Sequence, residues 1–188
     1  MAFIRKSEKP RTGIIGTKSV DINETEKLTT TQLIDFAKKD GIETAPLDIH
    51  ALVKSLGIRL VSIPMKDEIS GSLSLSENGK EWIIKVNALH HPNRQRFTIA
   101  HELAHFARHR SLQAQFEDQN FFRKGDTNAM EAEANRFAGE LLMPEVLFRD
   151  RVKLFNGSIE AIAQCFKTST LAVRVRAKQL GMKGHGLE

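Results

Sequence analysis

The stretch Phe97-Thr98-Ile99-Ala100-His101-Glu102-Leu103-Ala104-His105-Phe106-Ala107-Arg108-His109 decides how the rest of the chain is read. On a helix of 3.6 residues per turn, Phe97, Ile99, Ala100, Leu103, Ala104, Phe106 and Ala107 cover more than half the circumference. A helix enclosed in this way is mostly buried, whereas a surface helix carries a narrow apolar stripe and a broad polar face. The polar residues Thr98, His101, Glu102, His105 and Arg108 gather on one narrow arc. Two imidazoles and a carboxylate inside a protein need partners, because an unpaired buried polar group is costly. A metal ion supplies one. His101 and His105 are separated by about 40° in azimuth and about 6 Å in height, so both rings reach one ion from the same side. Glu102 lies about 100° round the helix, where it can take a proton from water as a general base.

A catalytic zinc takes three protein ligands and keeps a position open. The third is expected from Met130-Glu131-Ala132-Glu133-Ala134-Asn135-Arg136-Phe137-Ala138. There Met130, Ala134, Phe137, Ala138, Leu141 and Leu142 form an apolar arc with Glu131 at its edge and Asn135 one turn on, on the same side. Glu133 falls on the far side with Arg136 and Glu140 and reads as solvent-facing. Glu131 is therefore the expected third ligand, although a first-turn carboxylate is also favoured by the helix dipole alone. Asn135 is expected to hold a histidine ring by hydrogen bond. His109 lies about 12 Å along the axis from His101, too far to share the ion. It is expected to face solvent or to line the cleft. His90 and His91 read as loop residues, either of which can donate to a developing oxyanion. No tyrosine can do so, since the chain contains none.

The chain has 188 residues, 40% hydrophobic and 27% charged, which suffices for one packed domain with a small appendage. The single cysteine, Cys165, excludes an internal disulfide and fits a reducing cytoplasm, the expected location. No apolar run has the length of a membrane span, and the basic N-terminus MAFIRKSEKPRTG lacks the apolar core of a secretory signal. The net charge of +5 sits at the C-terminus, where residues 151–188 carry seven basic and two acidic side chains.

Residues 1–27 show no steady period and read as a flexible arm. Helical spacing runs from Leu28 to Lys39, and again from Pro46 to a stop at Gly57. The period then becomes alternating: Arg59 to Ile63, Ser70 to Ser76 and Glu81 to Val86 read as strands, with Asn78-Gly79 as a hairpin signal. A long helix is expected from Asn93 to Arg110, then a polar loop over 111–126. Helices are expected from Asn128 to Met143 and from Pro144 towards Phe155, with two shorter ones at Ile159 to Phe166 and Thr170 to Leu180. The pattern predicts an α+β fold with a small antiparallel or mixed sheet. It divides into the arm, a domain over 28–150 that carries the candidate metal site, and a basic helical segment over 151–188.

Arg94 to His105, then Glu131 to Ala138, then Leu141-Leu142-Met143-Pro144 together resemble the ImmA/IrrE-type metallopeptidases of bacteria and their mobile elements. Ile69 to Leu73 and Ile83 to Asn87 look like that family's sheet, so the resemblance covers roughly residues 45–181. It implies a zincin-like core with His101, His105 and Glu131 as zinc ligands and Glu102 as general base. It also implies a substrate, a helix-turn-helix transcriptional repressor cut to release genes of a mobile element or a stress response. Some members look like toxin-type partners of helix-turn-helix antitoxins. A two-histidine, one-carboxylate site also accepts Mn2+ or Fe2+.

Two rivals stand beside the peptidase. In one, the protein binds without cutting. Ile159 to Phe166 and Thr170 to Leu180, joined by Lys167-Thr168-Ser169, then form a helix-turn-helix with Arg174, Arg176 and Lys178 towards DNA phosphates. Apolar Leu171, Val173, Val175 and Leu180 leave little of that helix to read bases, which favours a cap packed on the catalytic core. In the other rival, the metal is only a structural staple.

Overall fold

The computed structural model describes residues 27–112, 115–119 and 129–182. The arm expected over residues 1–27 lies outside this set except for Lys27, as does most of the loop expected over 111–126. The described elements run α1 (Thr30–Lys39), α2 (Ile49–Ser55), β1 (Arg59–Ile63), β2 (Ile69–Leu75), β3 (Trp82–Asn87), α3 (Pro92–His109), β4 (Gln115–Gln119), α4 (Ala129–Leu142), α5 (Glu145–Leu154), α6 (Ile159–Phe166) and α7 (Thr170–Gln179). The chain is α+β, with one mixed sheet in the order β1-β3-β2-β4.

The sheet follows from the alternation. β2 and β3 form an antiparallel hairpin in which Gly71 pairs with Val86, Leu73 with Ile84 and Leu75 with Trp82. These residues share one face, and Leu73, Ile84 and Val86 are buried on it. Ser72 and Ser74 fall on the other, more polar face. The hairpin closes at Gly79, whose φ of +68° suits the Asn-Gly turn. β1 pairs parallel to β3. β4 pairs antiparallel to β2, within the segment expected to be a loop. A polar stretch such as Gln115–Gln119 carries little strand signal of its own. The unpaired edge of β2 supplies the partner that makes it a strand.

Asn87 ends β3 and ties down two loops. Its Oδ1 accepts from the backbone N–H groups of Met65 and Leu89, and its Nδ2 donates to the Ile69 carbonyl at 2.9 Å. This fixes both the entry to β2 and the turn into α3. His91 caps α3, its Nδ1 accepting from the Asn93 N–H, and Pro92 occupies the first turn, where its missing N–H costs nothing.

α3 lies between the sheet and α4, and every residue from Thr98 to Ala107 is buried. Gly71 permits the close approach of β2. A Cβ there would lie 2.5 Å from Thr98 Cγ2 and 2.7 Å from the Lys85 carbonyl oxygen. Thr98 can rotate, but the Lys85 carbonyl belongs to the paired β3 strand and cannot. Gly71→Ala is therefore expected to destabilise the fold by roughly 1–3 kcal/mol, the usual cost of overpacking. Urea denaturation measures it. A loss below 0.5 kcal/mol would mean that the sheet gives way more easily than this packing implies.

The C-terminal helices join the same hydrophobic core as α3 and α4. Phe148 of α5 stacks on Phe166 of α6 with ring centroids 6.0 Å apart, and Asn93 of α3 donates to the Thr168 carbonyl at 2.9 Å. Arg176 of α7 departs from the rival DNA-binding reading, in which it faces phosphates, and fits the favoured cap. It is buried, and its Nε donates to the Met143 carbonyl at 3.0 Å. Arg174 and Lys178 are exposed. The reason is helical: Val173, Arg176 and Ala177 share the inward face of α7, and Arg176 finds there an orphan carbonyl at the end of α4.

Candidate metal centre

The centre is built where α4 packs across α3. His101 Nε2 lies 3.1 Å from Glu131 Oε2, and His105 Nε2 lies 3.4 Å from Glu131 Oε1. The two Nε2 atoms are 3.0 Å apart, close to the roughly 3.3 Å that tetrahedral zinc with bonds of about 2.0–2.1 Å imposes on its nitrogens. His101, His105 and Glu131 each offer a ligand atom, all within 4.8 Å of one another. Both histidines are fully buried, while the Glu131 side chain is about one third exposed. The cluster is thus rooted in the core and reachable from one side.

The donor set fits a cation. Asn135 Oδ1 sits 3.2 Å from His101 Nδ1. An amide oxygen only accepts, so His101 Nδ1 carries the proton and its Nε2 presents a lone pair. That lone pair faces the acceptor oxygens of Glu131. A divalent ion resolves this convergence without a proton. Burial, above all, lowers the His101 pKa to about 4, so the ring is neutral, the form that binds metal.

Glu102 is fully buried on the flank of α3 that meets β2. A Cβ at position 71 would lie 3.2 Å from its Oε1, a tight contact that would push the carboxylate aside by a few tenths of an ångström.

Two residues depart from expectation. His109 does not face solvent: it is buried, with Nδ1 3.0 Å from His105 Nδ1 and Nε2 3.2 Å from Glu133 Oε2. Nor does Glu133 face solvent alone: its part-exposed carboxylate also accepts from Arg108 Nε at 2.7 Å. The wheel of α4 was read against a single neighbouring face. In the fold its two flanks meet different turns of α3: Glu131 and Asn135 meet the His101 turn, and Glu133 meets the His109 turn. The available signal was the i, i+4, i+8 spacing of His101, His105 and His109, which puts three imidazoles on one stripe.

His90 and His91 do not join the cluster. About 15 Å of helix separates His91 from His101, and its ring is engaged in capping. His90 sits in the preceding turn, where its carbonyl accepts from Gln95 Nε2 at 2.7 Å. Desolvation lowers its pKa.

Among solved structures, a Mycobacterium tuberculosis transcriptional regulator is similar in fold, with a TM-score of 0.53 at 17% identity over 83% of this chain. This chain spans about half of that protein, 48% of its length. No curated protein matches the sequence. No helix among the described residues is long and apolar enough to cross a membrane. Residues 53–178, which include the helix bearing His101 and His105 and the helix bearing Glu131, match the IrrE N-terminal-like domain of the peptidase M78 family, and the chain belongs to that family.

Proposed function

We propose that this protein is a metal-dependent endopeptidase of the gluzincin type, most simply a zinc enzyme, that hydrolyses a peptide bond in a helix-turn-helix transcriptional repressor. The observation that carries the reading is the convergence of His101 Nε2, His105 Nε2 and the Glu131 carboxylate beside a buried Glu102. Membership of a peptidase family agrees with it. The repressor as substrate rests on the family resemblance. A similar fold in a transcriptional regulator is in keeping with a role in gene control.

A divalent cation at this centre supplies Lewis acidity to a water and to the scissile carbonyl. His101, His105 and Glu131 hold it, and Asn135 orients the His101 ring. Glu102 takes the proton from the water that attacks the carbonyl carbon. As the C–N bond breaks, Glu102 returns that proton to the leaving amine nitrogen. The closed packing of β2 against α3 keeps its carboxylate on one side of the cluster.

The test is to co-express the chain with a helix-turn-helix repressor, taken from the neighbouring gene where one is encoded there. Two repressor fragments are expected with the metal present, none under chelation, and fragments again when zinc is restored. A repressor that is bound but stays intact under all three conditions would favour the non-cutting regulator or toxin-type partner.

A further inference from the structure

Read from its Glu133 end, the His105–His109–Glu133 chain has one neutral proton order. Glu133 is paired with the guanidinium of Arg108, whose Nε donates to its Oε1 at 2.7 Å, so it is a carboxylate and its Oε2 can only accept. His109 Nε2, 3.2 Å away, must therefore carry a proton. A neutral imidazole has one N–H, so His109 Nδ1 is left as a lone pair. His105 Nδ1, 3.0 Å from it, must then be the donor. That assignment empties His105 Nε2 of its proton, and Nε2 is the atom that meets His101 and Glu131.

We infer that His109 and Glu133 are positioning residues that fix His105 in the tautomer whose Nε2 lone pair faces the metal, with Arg108 holding Glu133 in place. The inference rests on the reading of His101, His105 and Glu131 as a metal site. The site then has two dissimilar supports: an amide one bond from His101, and an imidazole–carboxylate relay two bonds from His105. A carboxylate at the end of the relay also raises the basicity of His105 as a ligand. All three relay residues lie between α3 and α4, the two helices that supply the ligands, so the relay also holds the helices in register. A plain structural tie would do only the latter.

The experiment separates these roles in the full-length protein. Zinc affinity is measured by competition with a chromophoric chelator for the wild type, Glu133→Gln, His109→Phe and Glu131→Ala. The proton position on the His105 ring is read in the metal-free proteins from long-range 1H–15N spectra. Glu133→Gln is the mild variant, since the side chain is part-exposed and an amide fits its volume. It is expected to weaken zinc binding about tenfold, and His109→Phe roughly 10–100-fold, the range typical of groups that orient metal ligands. The wild-type His105 ring is expected as the Nδ1–H tautomer. Glu133→Gln, whose amide can donate as well as accept, is expected to populate the Nε2–H form. Folded variants that bind zinc within twofold of wild type and keep the Nδ1–H ring would overturn the relay. If Glu131→Ala alone loses zinc, only the relay falls. If Glu131→Ala also binds zinc normally, the metal site itself falls.

Discussion

Glu102→Gln is expected to keep the wild-type zinc content and to lose peptide hydrolysis by roughly 10²–10⁴-fold, the contribution a positioned general base makes. Glutamine has the same shape, and at a fully buried position on α3 shape decides whether the helix still packs. An amide cannot take a proton from water, so the chemistry fails while the fold stands. The metal should stay because the three ligand side chains are His101, His105 and Glu131, none of them altered. Metal analysis and a cleavage rate on the same preparation check both halves. A variant that cuts at the wild-type rate would remove Glu102 from the mechanism. A variant that loses its zinc would instead make Glu102 part of the metal's own environment.

Much of this centre was legible because α3 is buried on all sides. Ten consecutive buried residues leave an unmistakable pattern, and two histidines four apart within such a helix have few innocent explanations. Glu131 could be separated from Glu133 by the arc each occupies on α4. What the arc could not say is that α4 meets two turns of α3 rather than one, so Glu133 was read as solvent-facing, and His109 as facing solvent or lining the cleft. The cause is common: a helical wheel gives direction about one axis and says nothing of where a second helix crosses it. β4 was missed for a different reason. Its strand state comes from the edge of β2, a partner about 40 residues earlier, which a local reading of Gln115–Gln119 does not contain. The buried Arg176 is a third case. Its charge suggested a phosphate, but a carbonyl at the end of α4 competes for the same guanidinium, and only the packed structure reveals it.

Loading the metal-free protein with zinc is expected to raise its melting temperature substantially, and the reason lies in the same lone pairs. Without a cation, His101 Nε2 and the Glu131 oxygens face one another with both histidines buried, an arrangement of acceptors that costs folding free energy. A ligand that binds only the folded state returns RT ln(1 + [L]/Kd), about 4 kcal/mol at a free metal concentration 1,000-fold above Kd. For a chain of 188 residues that is a shift of roughly 8–16 °C. Differential scanning calorimetry with and without a chelator measures it. Glu102→Gln should retain the shift and Glu131→Ala should lose most of it. The pairing of those outcomes carries the argument, because it divides the residues that hold the cation from the residue that uses it. A shift of less than 2 °C in the wild type at saturating zinc would mean that the three ligand atoms do not meet on one ion. A full shift in the wild type with no cleavage of any repressor would leave the cation as a structural staple.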